Sequence, residues 1–195
     1  MIAEQRQLRR GVTAAVVALR HVPDRLMHGR RHRRAIAAVP QLEDGSRVVV
    51  VCYGNICRSP YAATALRRRL AGTGVLVESA GFVGPGRPVP AHAHTVALGR
   101  GDDMSQHRAQ LLTEPMVRGA QLIVVMDTEQ RARLVRRTPS APPILLLGDL
   151  DPQPIAKRAI RDPYAQSIEV FAEVFDRIDR SVEVLAREIL AKRGA

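Results

Sequence analysis

The chain has 195 residues, 46% of them apolar, which predicts one globular domain with room for an appendage. Its net charge of +11 comes almost entirely from 28 arginines. Such a charge favours an anionic ligand, with phosphate as the first candidate and nucleic acid as the rival. The alternative interpretation is that the arginine excess only reflects genome composition. No stretch approaches the roughly 18 consecutive apolar residues of a membrane-spanning helix, so none is predicted.

Residues 1–45 form a basic extension with nine arginines against four acidic residues. The segment GVTAAVVAL, which follows a pair of arginines, loosely resembles the apolar region of a twin-arginine export signal. Arg20, His21 and the basic run HGRRHRR then come before any small-residue cleavage site, which argues against export. The sequence favours a helical or unstructured basic arm, or a true start at a later residue such as Met27. It leaves open whether the arm contacts acidic lipid or an acidic partner.

Residues 46–195 form the second predicted unit, in which apolar strands alternate with helices. The predicted strands are RVVVVC (47–52), GVLVESAG (74–81), AQLIVVMD (120–127) and PPILLLGD (142–149), and the predicted helices are SPYAATALRRRLAG (59–72), VPAHAHTVALGRG (89–101), TEQRARLVRR (128–137) and a long C-terminal segment (167–192). This alternation predicts an α/β fold with a single open sheet of four parallel strands flanked by helices.

Two of the predicted helices carry further signals. Ser59 can cap the first one, Pro60 suits its first turn and Gly72 ends it. The C-terminal helix has an apolar face that predicts packing on the sheet. That face consists of Ile168, Phe171, Val174, Phe175, Ile178, Val182 and Leu185.

The two cysteines of the chain, Cys52 and Cys57, lie at the end of the first predicted strand. A disulfide framework would use several spread pairs, and a structural zinc site would need four ligands. The sequence therefore predicts no metal and no cofactor, and a reduced, cytoplasmic setting fits it best.

The loop after this strand has the composition of an anion site. Ligands of open α/β sheets collect beyond the carboxyl ends of the strands, where the loop N–H groups and the helix N-terminus attract anions. Gly54 permits close approach, and Arg58 offers a planar fork for two phosphate oxygens. A thiol at a helix N-terminus beside arginine has a pKa of roughly 3.5–7.5. We therefore expect Cys52 to be a thiolate nucleophile rather than a structural cysteine.

A phosphoryl transfer to a thiolate also needs an acid that protonates the leaving oxygen. Asp162, in the long loop after the fourth strand, is the candidate, because loops at this edge of the sheet converge. Pro163 stiffens its turn, and Tyr164 can flank the pocket.

From Arg47 onward the chain resembles the low-molecular-weight protein tyrosine phosphatases, over about three quarters of its length. The motif VCYGNICRSP resembles that family's phosphate-binding loop almost letter for letter. SAG, HRAQ, VVMD and DPY, which begin at residues 79, 107, 124 and 162, follow in the family's order and at compatible spacing.

The resemblance implies a role for each matching residue. It implies that Cys52 is the nucleophile, that Arg58 clamps the phosphate, and that Asp162 acts first as the acid and later as the base. The residues implied to bind substrate or phosphate are Tyr53, Gly54, Asn55, Ile56, Cys57, Ser59 and Tyr164. Asn55 and Ser59 are further implied, with Ser79 and His107, to form a hydrogen-bond network that holds the loop. For Cys57 two roles stay open, reversible disulfide formation that protects Cys52 and plain packing.

The chain also departs from the family pattern. Ala165 stands where the family often has a second aromatic residue after DPY. The segment FVGPGRP lacks the usual aromatic wall, for which Phe82 and Tyr53 are candidate substitutes. The family has no counterpart of the basic extension.

The resemblance implies hydrolysis of phosphotyrosine in a protein substrate, such as a bacterial tyrosine kinase that controls capsule or exopolysaccharide export. A sister branch hydrolyses phosphoarginine and tends to carry Thr in place of Ile56, so Ile56 favours the tyrosine branch. Arsenate reduction would need further cysteines. A phosphate-binding or nucleic-acid-binding module without turnover has only the basic extension in its favour, because no basic stretch is interleaved with aromatic residues.

Overall fold

The computed structural model describes residues 22–138, 140–155 and 157–194, so the segment that resembles an export signal lies outside it. The elements are α1 (Val22–Ala37), β1 (Arg47–Cys52), α2 (Arg58–Arg69), β2 (Leu76–Gly81), α3 (Ala91–Leu98), α4 (Glu114–Gly119), β3 (Leu122–Val125), α5 (Thr128–Arg137), β4 (Ile144–Leu146), a 3₁₀ turn (Leu147–Leu150) and α6 (Ile168–Arg193). No helix within these ranges is long and apolar enough to cross a bilayer.

The four strands form one parallel sheet in the order β2-β1-β3-β4. This confirms the predicted sheet. β1 lies between two neighbours, and Val48 to Val51 are at most 1% exposed, as expected of a strand covered on both faces. The order places the end of β1, and with it Cys52, in the middle of the carboxyl edge.

Helices cover both faces of the sheet. On one face α2 and α6 pack together, with the rings of Tyr61 and Phe175 stacked 3.8 Å apart. On the other face α4 and α5 bury Val117 and Leu134. The predicted apolar face of α6 is buried except for Ile168, which is 36% exposed because it starts the helix and lies beyond the sheet.

Part of the basic extension packs on this core. Ala35, Val39 and Leu42 are buried in the same apolar cluster as α2 and α6. At the C-terminus of α6, Lys192 Nζ donates to the carbonyl of Val39 over 2.5 Å and Arg193 Nη1 donates to that of Leu42 over 2.7 Å. The division of the chain at residue 45 stays a prediction.

Candidate active site

Cys52 and the loop after it occupy the carboxyl edge of the sheet. The sulfur is buried, and two groups donate hydrogen bonds to it. The backbone N–H of Asn55 lies 3.2 Å from Cys52 Sγ, and the hydroxyl of Ser59 lies 3.0 Å from it. Donors that face a sulfur favour its negatively charged form.

The position of Ser59 in the sequence had suggested that it caps α2, but it does not. The helix begins one residue earlier, at Arg58, with Cys57 at the cap position and no side-chain cap. The hydroxyl is instead directed at Cys52 and accepts a hydrogen bond from Asn55 Nδ2. The cap prediction was therefore wrong, and Ser59 lies in a hydrogen-bond network with Asn55 and Cys52.

Asn55 lies at the centre of that network. Its backbone has φ 51°, a left-handed conformation that Asn adopts more readily than most residues. Its Nδ2 donates to the hydroxyls of Ser59 and Ser79, each over 2.9 Å. Its Oδ1 accepts from the backbone N–H of Gln110 over 2.9 Å. The fully buried side chain therefore fixes the loop against β2 and the segment after α3.

His107 supports the same residue from outside. Its ring Nε2 lies 2.8 Å from the carbonyl oxygen of Asn55, so this nitrogen is the protonated donor. Burial lowers the pKa of His107, which keeps the ring neutral at pH 7.

Arg58 is buried below the loop. Its Nη1 donates to the carbonyl of Ile160 over 3.1 Å and its Nη2 pairs with the carboxylate of Asp162. A second carboxylate, that of Asp127, lies 3.9 Å from Nη1. The Nε of Arg58 is buried without a partner among the residues that the structure describes. A buried N–H of this kind is costly unless a ligand or water binds it.

Asp162 lies on the loop between the 3₁₀ turn and α6. The backbone N–H of Tyr164 donates to its Oδ1 over 3.2 Å, and the backbone N–H of Ile160 donates to the carbonyl of Met126 over 2.8 Å. The second contact attaches the loop to the end of β3. Ala165, where the family often has an aromatic residue, has φ 58°.

These residues surround a cavity of about 170 Å³. Its lining consists of Cys52, Tyr53, Gly54, Ile56, Cys57, Arg58, Val83, Arg87, Asp162 and Tyr164. Tyr53 and Tyr164 are 54% and 56% exposed, so their rings lie at the rim. Phe82 lies outside this lining, in an adjoining cavity that shares Tyr53, Arg58 and Asp162. Its ring packs under the guanidinium of Arg133, 4.4 Å from the centroid.

Sequence reasoning missed three residues of the site. Arg87 lines the cavity, and its Nε and Nη2 donate to the carbonyls of Gly84 and Gly54 over 3.1 and 3.4 Å. Val83 lines it from the same segment. Gln110 belongs to the HRAQ motif, but only the fold brings it to Asn55. No periodicity or charge pattern in FVGPGRP indicated that Arg87 would turn back towards the loop.

The two cysteines differ in their surroundings. Burial, followed by the charge of Cys52, raises the pKa of Cys57 to about 12. Cys57 is therefore a neutral thiol at pH 7. Both cysteines are free. Of the two sulfurs, only that of Cys52 accepts the pair of donors that favours a thiolate.

The family model of the low molecular weight phosphotyrosine protein phosphatases matches residues 47–195. The chain belongs to this family. One relative of the phosphatase is the probable low molecular weight protein-tyrosine-phosphatase EpsP of Ralstonia nicotianae. The two are 37% identical over 145 residues, which cover 74% of this chain and 96% of the relative.

Solved structures of similar phosphatases share the fold. The YwlE arginine phosphatase of Geobacillus stearothermophilus superposes with a TM-score of 0.69 at 28% identity, covering 76% of this chain and 95% of that one. Wzb of Vibrio vulnificus in complex with benzylphosphonate gives a TM-score of 0.65 at 32% identity, covering 73% and 97%. These matches cover about three quarters of the chain.

Proposed function

We propose that this phosphatase hydrolyses phosphotyrosine in proteins through a phosphocysteine at Cys52. One observation carries the proposal. The sulfur of Cys52, with donors from Asn55 and Ser59, lies in the same cavity as a buried arginine and an aspartate. A nucleophile, an anion clamp and an acid are the three groups that phosphoryl transfer to a thiolate requires.

In the binding step, the phosphate enters the loop over Cys52. The backbone N–H groups of residues 53–58 surround an anion at the N-terminus of α2. The guanidinium of Arg58 supplies a charge-assisted fork, and the buried, unpartnered Nε of Arg58 supports this role. Tyr53 and Tyr164 flank the ring of the substrate at the rim.

In the first chemical step, the thiolate of Cys52 attacks phosphorus and forms an S–P bond while the P–O bond to the tyrosine breaks. The phosphate takes the place of Asp162 on Arg58 Nη2, and Asp162, released from this ion pair and protonated, gives its proton to the leaving phenolic oxygen. Arg58 and the loop N–H groups stabilise the charge that develops on the equatorial oxygens.

In the second step, a water attacks the phosphocysteine in line with sulfur. The carboxylate of Asp162 takes the proton of this water, and Cys52 leaves as a thiolate. The products are inorganic phosphate and the starting enzyme. In this step the Ser59 hydroxyl stabilises the sulfur of Cys52 as the leaving group, whereas in the first step it stabilised the same sulfur as the nucleophile.

Two features favour phosphotyrosine over phosphoarginine. Ile56, at the position where the arginine-specific branch tends to carry Thr, lines the cavity with an apolar side chain. The guanidinium of Arg87 in the wall would repel the cationic guanidinium of phosphoarginine. EpsP is named a probable protein-tyrosine-phosphatase, and Wzb binds benzylphosphonate, an aryl-bearing phosphonate. The YwlE neighbour, an arginine phosphatase, keeps phosphoarginine as the alternative to be tested.

The substrate that we propose is a phosphorylated bacterial tyrosine kinase, as the family resemblance implies, with a role in capsule or exopolysaccharide control. A reducing compartment such as the cytoplasm suits this mechanism, because Cys52 must stay a free thiolate.

The test is phosphate release from a phosphotyrosine peptide and from a phosphoarginine peptide of the same sequence. Cys52→Ser serves as the blank for both. We expect release from the phosphotyrosine peptide to be the faster of the two. Faster release from the phosphoarginine peptide would assign the chain to the sister activity, and no release from either would contradict an enzymatic function.

A further inference from the structure

A second concave surface lies along the outer side of the sheet, away from Cys52. Strand β4 is one of the two edge strands of the sheet, and among the residues that the structure describes it pairs with β3 alone. The helix α1 lies on one side of this edge and α5 on the other. Together with the edge they enclose a groove of about 410 Å³, which we name the β4 groove. It is lined by Arg31, Arg34, Ala35, Ala38, Arg131, Ile144, Leu145, Leu146, Asp149 and Arg158.

The β4 groove is strongly positive. Four arginines line it against one carboxylate, that of Asp149, which is already paired with Arg158. Arg31 also interacts with another group, so it is not counted among the arginines that are available to a ligand. Arg34 and Arg131 project from opposite walls, are exposed, and form no ion pair with a described residue. These two guanidiniums are the groups that a ligand can bind.

The wall formed by α1 is held firmly enough to shape a binding site. The backbone carbonyl of Asp149 lies 3.1 Å from His32 Nδ1, and Ala35 is 7% exposed. Lys192 donates to the carbonyls of Ile36 and Val39 at the end of the helix. This wall precedes residue 47, where the family match begins, so the groove is an addition to the shared fold.

Charge decides which occupant fits. Residues 1–21 contain four arginines and one glutamate, a net charge of +3, and would be repelled. A second copy of the chain, with a net charge of +11, would be repelled as well. A flat membrane surface does not enter a groove between two helices. An extended polypeptide does, since an edge strand offers backbone groups for pairing and guanidiniums bind carboxylates in a bidentate manner.

We propose that the β4 groove binds an extended, acidic segment of a partner polypeptide. The segment lies along Ile144–Leu146, and its carboxylates bind Arg34 on α1 and Arg131 on α5. Arg158 precedes Asp162 by four residues, so one loop contributes to both the groove and the active-site cavity. Delivery of a substrate by this route rests on the proposed function, whereas binding in the groove does not.

The experiment measures fluorescence anisotropy of a labelled peptide with alternating aspartate and valine. We expect saturable binding to the full chain that weakens as salt is added. The double variant Arg34→Glu/Arg131→Glu should raise the Kd by about ten-fold or more, since two attractive contacts become repulsive. The control Arg118→Glu, which reverses an exposed charge on α4 outside the groove, should leave the Kd within about two-fold. An unchanged circular dichroism spectrum of each variant shows that it is folded.

Three outcomes would overturn the proposal. One is an equal Kd for the double variant and the unaltered chain. Another is equal binding of a matched peptide with asparagine in place of aspartate. The third is tighter binding of a single-stranded oligonucleotide than of the acidic peptide, lost in the same double variant, which would assign the groove to nucleic acid. Failure of the phosphotyrosine assay would affect none of these readouts.

Discussion

The hydroxyl of Ser59 lies 3.0 Å from the sulfur of Cys52 and accepts a hydrogen bond from Asn55 at the same time. A hydroxyl has a single proton, and the amide of Asn55 does not compete for it because it donates. The carbonyl oxygen of Ala80, 3.4 Å from the hydroxyl, is a second acceptor, but the sulfur is the nearer of the two. The buried network therefore stabilises negative charge on Cys52 through this O–H group.

Ser59→Ala removes this donor while leaving the backbone donor of Asn55 in place. We expect the rate of Cys52 alkylation by iodoacetamide at neutral pH to fall by about ten-fold, because less of the sulfur is charged. Phosphate release should fall in parallel. Ser181→Ala is the matched control, since Ser181 is equally buried but donates to the carbonyl of Arg177 within α6. Unchanged alkylation in Ser59→Ala would contradict the role assigned to the hydroxyl.

Asp162→Asn removes the proposed acid and keeps the size of the side chain. General acid catalysis contributes about 10²–10⁴-fold, so kcat should fall by that factor for a phenyl phosphate whose leaving group needs protonation. The loss should be small for an aryl phosphate with an acidic phenol. Rates measured across a series of leaving groups test this.

Asp127→Asn provides the comparison for Asp162. Asp127 also lies near Arg58, at 3.9 Å, but its carboxylate caps α5 by accepting from the backbone N–H of Gln130. This variant should keep the dependence on the leaving group. If both variants lose activity equally for all leaving groups, the acid is not Asp162.

Much of the site could be predicted because the chemistry follows one contiguous motif. In VCYGNICRSP the strand, the loop and the helix start are all local, and the sheet needs only the alternation of apolar strands with helices. The end of β4 could not be predicted from the local sequence. The apolar run was predicted to extend to residue 149, but the strand stops at Leu146. A 3₁₀ turn follows, in which Gly148 passes so close to the carbonyl oxygen of Arg158 that a Cβ would lie 2.0 Å from it.

Other parts of the molecule depend on contacts distant in sequence. The sequence left the packing of α1 open, because its basic run shows no apolar periodicity. The residues that hold the segment after α1 in place, Lys192 and Arg193, lie some 150 residues away in the sequence. The helix α4 was not predicted, although Thr113 as the cap and Pro115 in the first turn are its signal. Arg87 reaches the loop only because Gly84 and Gly54 make room for it.

Gly81 is a glycine whose substitution should disable the site. A Cβ at this position would lie 2.8 Å from the backbone nitrogen of Asn55 and 2.9 Å from the carbonyl oxygen of Tyr53. Gly81→Ala must therefore displace the loop, and a displacement of about 1 Å can cost about 10²-fold in rate. Gly99→Ala, where the nearest atoms lie at 3.6 Å, should keep full activity. Wild-type turnover by Gly81→Ala would show that the loop tolerates displacement.

His107 should make stability depend on pH. Burial lowers the pKa of His107 in the folded protein, whereas the unfolded chain protonates it near pH 6.5. Unfolded protein therefore binds more protons as the pH falls below 6.5, and the free energy of unfolding decreases down to the lowered pKa. His107→Gln keeps an N–H donor for Asn55 but cannot be protonated. Urea unfolding across this range should show a shallower decline for the variant, and identical slopes would contradict the assignment.

The most direct test of the mechanism is acid quenching during turnover of an aryl phosphate, followed by peptide mapping of the phosphoryl group. The proposed pathway predicts the label on Cys52. It predicts none on Cys57, whose pKa of about 12 keeps it a neutral thiol. Cys52→Ser should show neither turnover nor a phosphorylated thiol. Turnover that continues in Cys52→Ser, or a label on Cys57, would contradict the assignment of Cys52 as the nucleophile.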